Sequence, residues 1–293
     1  MPKIITIPTN AGIISSTFNL TKTIGTSIAP FSGKYRSQEY DYNYWSGQIS
    51  VAPMKRSDVV QWQSFLANLE GTKNYFKFGD PDAFTPRGTY AHTHFNTDIR
   101  VDSGSNVNSA TLTFANTNSV VTSSSAIFDG LVVNDFVTIS GAVNSENNGT
   151  FKVTTFTSNT EIRVDAVLVN EASTASCKVR QNVKGSTALS MKAVGTNQGS
   201  VLQGDYLSIQ DSDGNIKQLV IATADAVITD EVSEDKYSVP IQPNLRLDLA
   251  DDSHIGFSSA QNRGLFRLDD NTVEWQANNV SLYRISFGFT EVI

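Results

Sequence analysis

The 293-residue sequence is poor in cysteine, in charged residues and in clustered positive charge. Its single cysteine, Cys177, excludes a disulfide within the chain, which suits folding in a reducing cytoplasm. Charged residues make up 17% of the chain, below the ~25% of an average soluble protein. Lys and Arg form no extended run, and the formal net charge is -7. Because a nucleic-acid interface needs clustered positive charge, we expect no nucleic-acid partner.

Long apolar runs are also missing. No segment approaches the ~20 apolar residues that a bilayer-spanning helix needs, so we expect no membrane insertion. The mildly apolar stretch 1–20 is interrupted by Thr6, Pro8, Thr9 and Asn10. It lacks the continuous apolar centre of a signal peptide, and we therefore expect a soluble chain that does not use the secretory route.

Alternating aromatic residues mark the first clear strand. Tyr40, Tyr42 and Tyr44 alternate with polar residues, and this period of two predicts a strand that leads towards Met54. Together with Trp45, these exposed-looking aromatics could form a platform for a sugar. They could as readily be the two faces of a packed strand or of a subunit interface, where Tyr and Trp are enriched.

A helix is predicted over residues 58–70. Its apolar residues recur at helical spacing and form one stripe: Val59, Trp62, Phe65, Leu66 and Leu69. Ser57 stands at the expected N-cap position, and Gly71 follows the last turn as a C-cap glycine would. Residues 74–78 return to strand, so we expect the helix to lie across a sheet.

The middle of the chain is rich in Ser, Thr, Asn and Val. Short alternating segments at hairpin spacing predict a small inserted β module over 99–182. A second module is predicted over 183–264, because VLQGDYLSI (201–209) repeats the pattern of LVVNDFVTI (131–139).

The closing segment 272–293 alternates like a strand pair and is too short to bury a core alone. We expect it to complete the N-terminal sheet, so that residues 1–90 and 265–293 form one domain interrupted by the modules. The predicted fold is mainly β: an N-terminal β-sandwich-like domain with one α-helix, completed by the C-terminal strands, with two small inserted β-barrel or sandwich modules.

Two acidic residues lie close together in the stretch YFKFGDPDAFTPRG, which begins at Tyr75. Asp80 and Asp82 flank Pro81. A carboxylate pair could act as acid and base, but such a pair usually needs a pocket and further partners. Since Gly, Asp and Pro cluster where chains bend, we interpret the stretch as a turn that stiffens the exit from the core strand.

Two histidines are weak candidates for metal binding. His92 and His94 could share one face of a strand and offer two nitrogens to a metal, with Asp98 as the nearby carboxylate. Two ligands do not make a site, and a pair of solvated histidines is the commoner outcome. A metal shared between subunits is the alternative.

Two further candidate sites, for calcium binding and for a reactive thiol, are better explained as structural features. Asp211, Asp213 and Asn215 imitate the first three ligands of a calcium loop. Ile216 and Ala222 occupy the positions that require Gly and Glu, which favours a hairpin turn. Cys177 has no nearby His and is expected to be packed rather than reactive. Nucleophile elbows, phosphate loops and zinc spacings are absent from the sequence, and we expect neither a cofactor nor enzymatic activity.

Several of these stretches together resemble the tail-tip and distal tail proteins of long-tailed bacteriophages. The resemblance is carried by YWSGQISVAPM, by SDVVQWQSFLANLEGTKNYFKFGDPDAFTPRG, and by the closing GLFRLDDNTVEW and SLYRISFGFTEVI. It covers somewhat under half of the chain. The module containing GLVVNDFVTISG and NNGTFKVTTF also looks like the small β domains found on many phage tail proteins.

The resemblance implies a structural protein of the virion tail, made in the host cytoplasm. Distal tail proteins form a ring, typically six-fold, between the tail tube and the tip or baseplate proteins, so the chain itself and those proteins are the implied partners. Residues of the ring-forming domain then become candidates for assembly: Trp62, Phe78, Asp80, Pro81 and Arg87. The alternative is a receptor-binding tail protein whose inserted modules bind host-surface carbohydrate, and a tail-associated hydrolase is a third possibility.

Overall fold

The computed structural model describes residues 2–39, 43–88, 99–102, 107–129, 131–194, 200–230, 234–278 and 281–292. Strands account for 48% and helices for 9% of the structure, which confirms the predicted mainly-β fold. The chain divides into two compact units. Unit 1 comprises 1–85, 216–219 and 258–293, and unit 2 comprises 86–215 and 220–257.

Unit 1 is built on a six-stranded antiparallel sheet to which both ends of the chain contribute. Its strands, numbered in chain order, are β1 (Ile13–Thr21), β4 (Tyr44–Met54), β5 (Phe76–Phe78), β19 (Gly264–Leu268), β20 (Trp275–Ala277) and β21 (Tyr283–Glu291). The order is β1-β4-β21-β19-β5, with β20 beside β21. β21 pairs with β4, for example Phe287 with Ile49. The C-terminal strand therefore completes the N-terminal sheet, as the sequence predicts.

One face of this sheet is covered by the helix α1 (Arg56–Leu69). Five apolar side chains of α1 are buried, among them Trp62 and Phe65. The Trp62 ring lies 6.4 Å from that of Phe287, and the Phe65 ring lies 5.7 Å from that of Phe76. The helix thus packs on the sheet through aromatic contacts, and the Phe65–Phe76 pair has the favourable edge-on geometry.

The ends of α1 differ slightly from the predicted 58–70. The N-cap is Lys55, not Ser57, because the Lys55 carbonyl already accepts the backbone N–H of Val59 at 3.0 Å. At the other end Glu70 adopts a left-handed conformation, and Gly71 follows with φ +67°. Within the described residues, no helix has the length and apolar character that crossing a membrane requires.

A separate two-stranded hairpin lies between β1 and β4 in the chain. It consists of β2 (Ile24–Ile28) and β3 (Tyr35–Glu39), joined by a turn in which Gly33 has φ +63°. Its strands pair only with each other among the described residues.

Unit 2 contains a closed six-stranded barrel. Its strands are β7 (Val107–Ala115), β8 (Val120–Ser123), β9 (Phe136–Ser140), β10 (Gly149–Ser158), β11 (Glu161–Val164) and β12 (Glu171–Arg180). Its core is apolar and includes Leu112, Val121, Val153 and Ile162, all fully buried.

The remaining strands form a second sheet in which six strands repeat the adjacency of the barrel. They are β6 (Ile99–Val101), β13 (Ala188–Val194), β14 (Tyr206–Gln210), β15 (Ile216–Ala222), β17 (Glu234–Gln242) and β18 (Ile255–Gly256), with β16 (Val227–Asp230) added beside β17. A bridge between Arg100 and His254 joins the end strands β6 and β18. In both sheets the first strand in chain order lies beside the second and sixth, and the fourth beside the third and fifth.

The barrel is inserted into the first hairpin of this second sheet. β6 pairs with β13, Val101 opposite Met191, and the whole barrel lies between them in the chain. Local sequence patterns instead predict one module over residues 99–182 and a second over 183–264. The difference arises because β6 is only three residues long and its partner is about ninety residues away, beyond the reach of a local pattern.

The repeated segments 131–139 and 201–209 adopt the same turn. Asn134 and Gly204 have φ +81° and +91°, and each is followed by an aspartate, Asp135 or Asp205. Each aspartate Oδ2 accepts the backbone N–H three residues earlier, at 3.0 and 2.9 Å respectively. Asp135 Oδ1 also accepts the hydroxyl of Ser238 at 3.0 Å. The sequence repeat therefore corresponds to a repeated structural motif.

Candidate interaction surface

The face of the unit 1 sheet opposite α1 carries polar side chains. Along β21, Ile285 and Phe287 are buried, whereas Arg284 and Ser286 are exposed. Side chains alternate along a strand, so Arg284 and Ser286 lie on the face away from the buried aromatics. Ser286 Oγ lies 3.1 Å from Ser50 Oγ of the neighbouring strand, which places both hydroxyls on this face.

Three adjoining concavities, of about 560, 410 and 170 Å³, follow this face and define a surface that we call the outer groove. The largest and the smallest share Glu274 and Ser286. The smallest and the middle one share Gln48, Asp269 and Gly288. The outer groove therefore runs across β1, β4, β21 and the segment that precedes β20.

The outer groove is acidic but has apolar parts. Asp269, Asp270 and Glu274 are exposed carboxylates along it, and Arg284 is a cation in its lining. Glu274 is oriented by Gln276, whose Nε2 donates to its Oε1 at 2.9 Å. The apolar part of the lining includes three residues with exposed surface: Ile14, Pro53 and Trp275.

Gly288 allows Asp269 to lie directly on this face. A Cβ atom at Gly288 would overlap the Asp269 carboxylate, so a larger residue would push that acidic side chain away from the sheet. The position of the negative charge thus depends on a glycine in β21.

The hairpin of β2 and β3 is a second surface, which we call the arm and define as residues 22–39. Ile28 and Tyr35 are cross-strand partners, and their side chains are 59% and 67% exposed. Ile24 lies on the same strand face as Ile28, and Phe31 at the tip is fully exposed. The arm was not predicted from the sequence, although the Ser32-Gly33 dipeptide between two short alternating runs is a turn signal.

Two of the predicted assembly residues are core residues. Trp62 has no exposed surface, and Phe78 is 2% exposed. Phe78 packs against Phe289, with ring centroids 5.4 Å apart. In this chain their side chains therefore support the fold of unit 1 and offer no surface to another subunit.

Asp80 and Pro81 build a turn. The Asp80 carboxylate accepts the backbone N–H of Asp82 at 3.2 Å and caps the 3₁₀ turn Pro81–Ala83. Pro81 occupies the first turn position, where its missing N–H has no cost. This geometry agrees with the interpretation of the stretch as a turn.

Arg87 is bound within unit 2. Its backbone N–H and that of Gly88 donate to the two carboxylate oxygens of Asp205, at 2.6 and 3.0 Å. Its guanidinium donates to the carbonyl of Gln203 at 2.9 Å. Asp205 is 2% exposed, so the segment that enters unit 2 is tied to a buried carboxylate.

The predicted metal-binding candidates lie partly outside and partly inside the described residues. His92, His94 and Asp98 lie outside the described residues. Asp211 Oδ1 accepts the backbone N–H of Asp213 at 3.0 Å, as in the hairpin turn that we predict. Within the described ranges, no group of three or more His, Cys, Asp or Glu side chains is arranged to hold a metal ion. Cys177 is buried, and burial raises the pKa of its thiol.

A polar network in the barrel fixes one of its loops. The Glu171 carboxylate accepts the backbone N–H groups of Val143 and Asn144 and the amide of Asn147, at 2.8, 3.1 and 2.8 Å. The hydroxyl of Thr174 also donates to it, at 2.5 Å. Burial alone would raise the pKa of Glu171, but these hydrogen bonds outweigh it and lower the pKa from 4.5 to about 2. A lone Glu in a strand gives no sequence signal of such a network.

Comparison with protein-family models gives no match, and no curated protein matches the sequence.

Proposed function

We propose that the chain is a non-enzymatic structural component of a bacteriophage tail, similar to a distal tail protein. In this proposal copies of the chain form a homo-oligomeric ring, six-fold as in the family it resembles. The ring docks to tail-tube proteins on one side and to tail-tip or baseplate proteins on the other. The protein is then located in the virion tail.

The pairing of β4 with β21 is the observation that supports this proposal most. It brings together YWSGQISVAPM and SLYRISFGFTEVI, two of the stretches that carry the resemblance. The helix that covers this sheet contains a third, SDVVQWQSFLANL. Stretches that are far apart in the sequence thus form one packed body, which is the architecture that the resemblance implies.

A closed ring also needs two different surfaces on each copy, because its contacts are head-to-tail. Unit 1 has two distinct exposed surfaces, the acidic outer groove and the arm with its exposed apolar side chains. These two exposed surfaces therefore support a function that depends on self-association.

Size-exclusion chromatography with light scattering tests the proposal. The full chain is expected to elute as a multimer of its 31.9 kDa mass. In a deletion variant, a short Gly-rich loop replaces residues 104–180 and connects β6 to β13. Because β6 and β13 already pair with each other, this removes the barrel and keeps the hairpin that they form. Assembly should survive this deletion. A strictly monomeric full chain that binds host-surface glycans, with binding lost on deletion, would favour the receptor-binding alternative.

A further inference from the structure

We propose that the arm of one copy docks into the outer groove of a second copy and forms the head-to-tail contact of the assembly. This inference rests on the proposed ring and names the two surfaces that build it. Its partner is another copy of the same chain.

The arm has the properties of a segment that needs a partner. An isolated two-stranded hairpin is only marginally stable in water. Ile24, Ile28, Tyr35 and the tip residue Phe31 nevertheless expose large apolar side chains. Concentrated apolar exposure of this kind marks an interaction surface, and burying it in a partner would stabilise both the arm and the contact.

The arm and the outer groove carry opposite charge. The arm contains Lys22, Lys34, Arg36 and Glu39, which gives three positive charges and one negative, a net +2. The corresponding count for the outer groove is Asp269, Asp270 and Glu274 against Arg284, a net -2. Opposite potentials favour this pairing and disfavour arm–arm or groove–groove contacts.

The exposed apolar side chains of the arm also match apolar residues in the lining of the outer groove. Ile14 and Trp275 contribute to the largest concavity and are 64% and 43% exposed, so the outer groove can receive apolar side chains. The two cross-strand faces of the arm differ: Ile28 opposes Tyr35 on one, and Ser27 opposes Arg36 on the other. An amphipathic arm thus meets a groove with apolar and acidic parts.

A second copy is the occupant that these surfaces favour. Among the residues that the structure describes, none of the arm contributes to the lining of the outer groove in its own chain. Each copy therefore presents one arm and one outer groove as separate surfaces. Different surfaces on each copy generate a head-to-tail series, which closes into a ring when the rotation per contact allows.

Disulfide trapping in the full chain tests the contact. Phe31→Cys places a thiol at the arm tip, Gln276→Cys places one in the outer groove, and the natural Cys177 is buried. Oxidation of the double variant with copper phenanthroline and air is expected to give a ladder of covalent multimers on a non-reducing gel. The matched control combines Phe31→Cys with Val143→Cys, a position that is 80% exposed in the barrel, and should give no ladder.

A charge-reversal series supplies an independent readout. Lys34→Glu with Arg36→Glu should raise the apparent dissociation constant of the assembly at least tenfold. Adding Asp270→Lys and Glu274→Lys to the same chain should recover most of the loss. All four side chains are exposed, so the substitutions should leave the fold of unit 1 intact.

Light scattering of the unsubstituted chain separates the two proposals. Multimers without a ladder would overturn arm docking and leave the ring proposal standing. A monomeric chain without a ladder would overturn both. Efficient dimers from Phe31→Cys alone would show that arms meet arms, which contradicts the head-to-tail contact.

Discussion

The carboxylate of Glu291 in β21 accepts the backbone N–H of Trp45 in β4 at 3.2 Å, across 246 residues of chain. Its other oxygen accepts the backbone N–H of Leu219 at 3.0 Å, and the Trp45 indole donates to the Leu219 carbonyl at 2.8 Å. Glu291 is 2% exposed. A buried carboxylate is stable only when its oxygens are satisfied, so this group ties three distant segments of unit 1 together.

Glu291→Ala should lower the free energy of unfolding of unit 1 by about 3 kcal/mol, because two buried N–H groups lose a charged acceptor. Urea denaturation followed by tryptophan fluorescence measures this effect. All three tryptophans, Trp45, Trp62 and Trp275, belong to unit 1. The signal therefore reports that unit, and an unchanged midpoint in Glu291→Ala would contradict the assigned role.

Gly88→Ala should destabilise unit 2 by about 2 kcal/mol or more, since the added Cβ would overlap the Ser200 carbonyl oxygen and approach the Asp205 carboxylate. Calorimetry of Gly88→Ala and of a control variant measures this loss of stability. Gly12→Ala is the matched control, because a Cβ there meets nothing within 4 Å. Equal effects of the two substitutions would refute the tight packing of the entry segment.

Acid should weaken the barrel through Glu171. Its folded-state pKa of about 2 lies below the ordinary 4.5, so the stabilisation is fully present above pH 4.5 and is lost as pH falls towards 2. Glu171→Gln should lower the unfolding temperature at pH 7 and flatten its decline between pH 5 and pH 3. If the unfolding temperature of Glu171→Gln fell between pH 5 and pH 3 as steeply as that of the unsubstituted protein, the prediction would be wrong.

Asp135 provides a control, because its pKa shift and the resulting pH dependence of stability have the opposite sign. Burial raises its pKa and outweighs the hydrogen bonds from Val132 and Ser238 and the nearby charge of Lys236, all of which lower it; the Asp102 carboxylate adds a small further rise. Ionisation therefore costs the folded state stability as pH rises through the raised pKa. The stability of Asp135→Asn relative to the unsubstituted protein should therefore rise between pH 4 and pH 7, in calorimetric scans of both chains.

The sequence predicts those features that local patterns encode. Helix α1 follows from the spacing of Val59, Trp62 and Leu66, and the repeated turn follows from the matching segments around Asp135 and Asp205. The participation of β21 in the N-terminal sheet follows from its length, since a single strand pair has no core of its own.

Features that depend on distant partners escape sequence reasoning. β6 is three residues long, and only its pairing with β13 reveals that the barrel is nested. Glu291 alternates like any strand residue, and its burial depends on Trp45 and Leu219 being brought to it by the fold. Phe78 and Trp62 illustrate the converse, because aromatic residues typical of interfaces are here required by the core.

Negative-stain electron microscopy of the purified full-length chain tests self-association most directly. Class averages should show closed rings, with a six-fold ring having a mass of about 191 kDa from six copies of 31.9 kDa. Isolated particles of single-chain size at micromolar concentration would contradict the ring, and with it the role proposed for the arm and the outer groove.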